Sequence, residues 1–120
     1  MNKQIYPKDW NEIAKKVKDE VGWKCVRCSH PHDCSSHHVL TVHHLDGDTF
    51  NCAWWNLVAL CQRCHLFVQN YFYFIPATPL FREPKTWVKP YIAGYYAHLA
   101  GLKEDKGYVL NNLDSIIPGV

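Results

Sequence analysis

This chain of 120 residues predicts a small α+β fold: a two-stranded hairpin followed by a helix, with further helices flanking it on both sides. Three observations predict it. A β-branched run, Val39 to Leu45, is followed after a polar stretch by a second apolar run at Asn56 to Leu60. A third segment, from Cys61 to about Phe74, has helical composition and must stop before Pro76. Finally, Cys25-x-x-Cys28 and Cys61-x-x-Cys64 bracket the hairpin. Thiolates spaced this way bend into knuckles that each offer two sulfurs to one ion. The four cysteines therefore predict a closed, tetrahedral structural zinc site that staples the core.

The elements follow in order. Residues 7 to 21 read as an amphipathic helix, with Trp10, Ile13, Val17 and Val21 at helical spacing. Asp9 with Glu12 resembles a capping box, and Gly22 suits the C-terminal stop. Trp23 to Asp33 is a knuckle and a turn-rich loop containing Pro31. Asp46 to Trp55 is too polar for a strand and reads as a loop. Phe74 to Pro84 contains three prolines and predicts an irregular connection. Pro90 suits the first turn of a helix through about Ala100, with Gly101 as its stop. Lys103 to Gly107 then reads as a polar turn before a short tail. One domain spans 1–120, with a core at about 23–74, an N-terminal helix at about 7–21 and a helical extension at about 85–101.

Composition narrows the class without naming a function. Thirteen Lys and Arg against eleven Asp and Glu give a formal charge of +2, so there is no basic arm of the kind that announces nucleic acid. Lys15, Lys16, Lys18, Lys24 and Arg27 gather beside the first knuckle, either as a phosphate-contacting patch or as the solvated face of a helix. The sequence has no apolar run long enough to span a membrane and begins with no apolar signal core, which predicts a cytoplasmic protein. In a reducing compartment six cysteines are metal ligands first. Cys34 and Cys52, outside the knuckles, are expected to be free thiols. The aromatic-rich C-terminal third suits either core packing or stacking on unpaired bases.

His43 and His44 are adjacent on a predicted strand, so their side chains point to opposite faces. One imidazole can then bind a metal while its neighbour stays free as a base, or both can be structural. His30, His32, His37, His38 and His98 have no such frame and read as surface or loop residues.

Taken together, Cys25-x-x-Cys28, Thr41-Val-His43-His44-Leu45, a Gly-Asp loop and Asn56-Leu-Val-Ala-Leu-Cys61-x-x-Cys64-His65 resemble the HNH (ββα-metal) endonuclease family, in the subgroup with a four-cysteine zinc site. The resemblance covers roughly Trp23 to Gln69. It implies that His43 and His65 ligate a catalytic divalent ion, Mg²⁺ or Mn²⁺ in function, with Ni²⁺ or Zn²⁺ as candidates in vitro. His44 becomes the general base, suited by an imidazole that is largely neutral at physiological pH. Asn56 becomes the residue that steadies the loop, with Asn51 as its competitor. Some members carry a third histidine ligand one turn after the His65 position; here that residue is Gln69. The implied activity is hydrolysis of DNA phosphodiester bonds, double-stranded DNA being the expected partner, with low intrinsic sequence preference. The alternatives are a non-catalytic zinc module that binds nucleic acid and a protein-interaction adaptor that works through the aromatic C-terminal region.

Overall fold

The computed structural model describes residues 5–71, 83 and 86–117. Helix α1 spans Trp10–Glu20 and is followed by an antiparallel hairpin of β1 (Leu40–His44) and β2 (Leu57–Cys61). Helix α2 (Gln62–Tyr71) leaves the end of β2 directly, and α3 (Lys89–Leu99), α4 (Lys106–Asn111) and α5 (Leu113–Ile116) complete a compact α+β arrangement. The hairpin register pairs Leu40 with Cys61, Thr41 with Leu60 and His43 with Val58. No described helix is long and apolar enough to cross a membrane.

Every residue of β2 is buried, as its unbroken apolar composition demands, while the middle of β1 is only half-buried. Leu40, Val58, Leu60, Val68 and Ile92 form the centre of the core, so the hairpin is covered by both α2 and α3. Burial of such side chains, at about 25 cal/mol per Å² of apolar area, is the main source of stability available to so small a fold. Helix α1 contributes no fully buried residue; it lays Val17 and Val21 against the core and leaves its other faces wet.

Several expectations shift. Helix α1 begins at Trp10, and no Asp9 side-chain capping bond forms, so the capping box is absent. Gly22 does stop the helix, with φ at +64°. Asn56 lies in a 3₁₀ turn, Trp54–Asn56, and the strand runs on through Cys61, one residue beyond its expected end. The polar, irregular stretch expected over Lys103 to Gly107 holds as far as Asp105, and α4 takes in Lys106 and Gly107. Asp105 caps that helix through its carboxylate, which accepts from the Tyr108 N–H at 3.1 Å, and Val109 anchors it fully buried beside Ala93 and Ala97. The irregular connection expected over Phe74 to Pro84 lies outside the described residues, Glu83 excepted. The basic cluster breaks up. Lys15 pairs with Asp19, Lys18 sits over the Trp23 ring, and Arg27 turns inward to the buried Glu83. The described C-terminal aromatics favour packing: Trp87, Tyr91, Tyr95 and Tyr96 all lie against the core.

Gly94 marks the closest approach of α3 to the turn that opens β2. A Cβ there would stand 2.4 Å from Trp55 Cβ and 2.9 Å from Trp55 Cγ. Because Trp55 is itself buried, neither side can yield cheaply. Gly94→Ala should therefore cost about 1–3 kcal/mol, the usual size of overpacking, although alanine is the better helix former. Equal or higher stability in urea unfolding would show that the Trp55 contact relaxes freely.

A candidate four-cysteine metal centre beside a histidine-lined pocket

The Sγ atoms of Cys25, Cys28, Cys61 and Cys64 all lie within 4.8 Å of one another, and Cys28 Sγ stands 3.7 Å from Cys61 Sγ. Sulfurs at the corners of a zinc tetrahedron with bonds of about 2.3 Å stand about 3.8 Å apart, so this cluster can hold a structural metal such as zinc. Each knuckle is shaped by its own backbone: the Cys28 N–H points at Cys25 Sγ at 3.4 Å, and the Cys64 N–H at Cys61 Sγ at 3.5 Å. The first knuckle is tied to the sheet by Val26 N–H donating to Ala59 O at 2.9 Å. Among the described residues it is the one group of three or more metal-binding side chains close enough to share an ion.

The thiols titrate against one another. Burial pushes the Cys25 thiol up, but backbone hydrogen bonds from Cys61, Cys28 and Arg27 outweigh it and hold it below the ordinary value. Burial raises Cys28 and Cys64, and the neighbouring Cys25 raises both further. Four thiolates packed this closely need a cation to ionise together. Arg27 supplies part of that charge from outside the cluster. Its Nη1 lies 3.7 Å from Cys64 Sγ, its Nε donates to Glu83 Oε2 at 2.7 Å, and its guanidinium sits 4.2 Å from the Phe67 ring centroid. Cys34 and Cys52 are free thiols, the first exposed and the second half-buried.

Immediately after Cys64, the first turn of α2 carries His65 back over the hairpin. Its Nε2 stands 3.0 Å from His43 Nδ1, and its Nδ1 stands 2.8 Å from Thr41 Oγ1. Thr41 and His43 share one face of β1 by the pleat, which is why both meet α2. Two donors bound side by side on one divalent ion at about 2.1 Å stand about 3.0 Å apart, so this nitrogen pair fits a metal's adjacent ligands. The pair is joined here by one hydrogen bond.

His44 points the other way, toward α1. Its ring centroid lies 4.7 Å from Trp10 and 6.0 Å from Tyr6, and those two rings stack on each other at 5.1 Å. Only 7% of His44 is exposed, and its buried Nε2 has no hydrogen-bond partner among the described residues. The Thr49 backbone acts on the ring electrostatically, pulling its pKa up against the effect of burial. The Thr49 hydroxyl in turn donates to Ile5 O, tying the segment before α1 to this loop. Tyr6, His43, His44, Thr49, His65 and Gln69 help line a pocket of about 200 Å³ at the end of the hairpin.

Asn56 is fully buried and grips the loop at three points. Its Oδ1 accepts from Asp46 N–H at 2.9 Å, and its Nδ2 donates to Asp46 Oδ1 and Asn51 O, each at 2.8 Å. Asn51 Nδ2 donates to the other Asp46 oxygen at 2.8 Å. The two asparagines therefore act together on Asp46, two residues beyond His44, and neither bonds the imidazole. That bridge fixes the exit of β1, where backbone groups would otherwise hydrogen-bond water.

All three site histidines are held neutral. Burial, then the neighbouring His65 and His44, lower His43 to about 4. Burial lowers His44 against the opposing pull of Asp46, Asp48 and the Thr49 backbone. Burial and His44 lower His65. The unfolded chain protonates these rings near pH 6.5, whereas the folded chain takes up the His43 proton only near pH 4. Between those values the unfolded state binds more protons, so stability falls as pH drops through that window. With one equivalent of zinc present, His43→Gln should flatten the pH dependence of the unfolding free energy between pH 6.5 and 4. An unchanged slope would mean that the His43 ring is solvated.

The remaining histidines stay outside the pocket. His30 and His38 stack on each other at 3.6 Å, His32 Nδ1 accepts from Leu40 N–H at 2.9 Å, and His98 pairs with Glu104 at 2.7 Å. The sequence reading missed Thr41, Arg27 and Glu83 as supporting residues, and Trp10 and Tyr6 as the cover over His44. Thr41 alone had a local signal, two positions before His43 on the same strand face. No family model, curated protein or solved structure matches this chain.

Proposed function

We propose that the chain is a metal-dependent endonuclease of the HNH (ββα-metal) type that hydrolyses DNA phosphodiester bonds, the four-cysteine zinc serving the fold alone. One observation carries the reading: His43 Nδ1 and His65 Nε2 converge at 3.0 Å in a pocket that His44 also lines. His43 and His65 would hold the catalytic ion, Mg²⁺ or Mn²⁺, since two nitrogens leave room for water and phosphate oxygens. Once bound, such an ion offsets charge on the scissile phosphate and on the departing 3′-oxygen.

The protein's own part is proton handling and alignment. His44 would take a proton from the attacking water through Nε2, the ring nitrogen that has no hydrogen-bond partner among the described residues. Asn56 and Asn51 hold the Asp46 bridge, so the loop that aligns His44 cannot drift. Because Trp10 and Tyr6 cover the ring, substrate access requires that stacked pair to shift.

The same cover favours a second reading, a non-catalytic zinc module that binds nucleic acid or protein on this scaffold. Plasmid nicking with Mg²⁺ or Mn²⁺, run beside His44→Ala, separates the two. Metal-dependent nicking lost in the variant supports the enzyme, and no nicking by wild type at any metal concentration removes it. Salt-dependent DNA affinity then distinguishes a nucleic-acid binder from a protein adaptor.

A further inference from the structure

We propose that Thr41 is a positioning residue that fixes the proton of His65 on Nδ1 and so keeps Nε2 available as a metal ligand, a role that rests on the metal-binding reading of the His43–His65 pair. The argument is an inventory of hydrogens. Thr41 Oγ1 lies 2.7 Å from Leu60 O and 2.8 Å from His65 Nδ1. A carbonyl oxygen only accepts, so the single hydroxyl hydrogen goes to Leu60. The hydroxyl can then only accept from the imidazole, which places the hydrogen on Nδ1. A neutral ring carries one N–H, and Nε2 is left with its lone pair. That atom is the one aimed at His43 Nδ1, 3.0 Å away.

The anchor is rigid for a structural reason. Leu60 is fully buried and is the cross-strand partner of Thr41, so the hairpin register itself sets the acceptor's position. The β-branched side chain of Thr41 has few rotamers to choose from on a strand. Among the described residues no other side chain bonds His65 Nδ1. Without the hydroxyl, the ring is free to carry its hydrogen on Nε2 and donate it to His43 Nδ1. In wild type the hydrogen of that contact comes from His43 Nδ1 instead, so His65 Nε2 keeps the lone pair that a metal needs.

The test uses the zinc-loaded full chain, with Mn²⁺ as the probe and imidazole ¹⁵N chemical shifts as a second readout independent of activity. Thr41→Val keeps the shape and deletes the hydroxyl; Thr41→Ser keeps the hydroxyl. Wild type should show the Nδ1–H tautomer at His65 in the absence of Mn²⁺. Thr41→Val should shift toward Nε2–H and bind Mn²⁺ about 10–100-fold more weakly, the usual size for a group that orients a metal-bound histidine. Thr41→Ser should restore both, with zinc content equal in all three proteins. An Nε2–H tautomer in wild type, or Mn²⁺ affinity in Thr41→Val equal to wild type, overturns the assignment. Wild type that binds no Mn²⁺ while showing the Nδ1–H tautomer overturns the metal reading beneath it, and the liganding role falls with it.

Discussion

Serine in place of any one of Cys25, Cys28, Cys61 or Cys64 is expected to abolish most of the native structure. Three of the four are buried, and their sulfurs join a loop before β1 to the end of β2 and the first turn of α2. The other ties of that loop among the described residues include Val26 N–H on Ala59 O, Gln62 N–H on Val39 O, and Arg27 on Glu83 and Phe67. Removing one thiolate leaves a three-sulfur site, and removing the metal leaves four crowded thiols in a small core. Structural zinc sites contribute on the order of 10 kcal/mol to folding in small domains, comparable to the whole stability of such a chain. Purified protein should thus carry about one equivalent of zinc that survives dialysis, and strong chelators should collapse its circular dichroism. Thiol counting after unfolding and zinc removal should find all six cysteines reactive. Absence of zinc together with chelation that changes nothing would refute the metal centre.

What the sequence disclosed here was the chemistry that spacing alone can carry. Two CxxC pairs announced a shared site, and the sulfurs do meet, because each knuckle is a local turn whose geometry two intervening residues define. The hairpin was legible because β-branched and apolar runs are separated by a loop rich in Gly and Asp. Helices α4 and α5 were not, because Lys103 to Gly107 looks polar and α4 owes its place to one buried residue, Val109, meeting α3. Long-range facts were the least legible. That Trp10 would lie on His44 depends on how α1 docks, and α1 has no fully buried residue to declare its register. Likewise Arg27 looked like one cation of a surface patch, because its partner Glu83 is far away in sequence. The site histidines were found by adjacency to other motifs; their neutrality depends on burial, which only the packed structure supplies.

Alanine at His43, His44 and His65 should produce two different defects, if the pocket is a hydrolytic site. His44 Nε2 is buried and has no hydrogen-bond partner among the described residues, which leaves it open to take a proton from water. Its loss should cut DNA nicking at least about a hundredfold while divalent-ion affinity, zinc content and folding persist. Added metal should not rescue it, because no ligand has been lost. His43 and His65 face each other at 3.0 Å, so removing either halves the nitrogen donors available to a shared ion. Those variants should bind Mn²⁺ more weakly and recover part of their activity as its concentration rises. His65→Ala should also lose some stability, since it leaves Thr41 Oγ1 without its imidazole partner and adjoins Cys64. Nicking rate measured against Mn²⁺ concentration separates the classes: a lowered plateau marks the base, a shifted midpoint marks a ligand. Metal rescue of His44→Ala with none for His43→Ala would exchange the two roles, and unimpaired nicking by all three variants would move the reaction away from this hairpin.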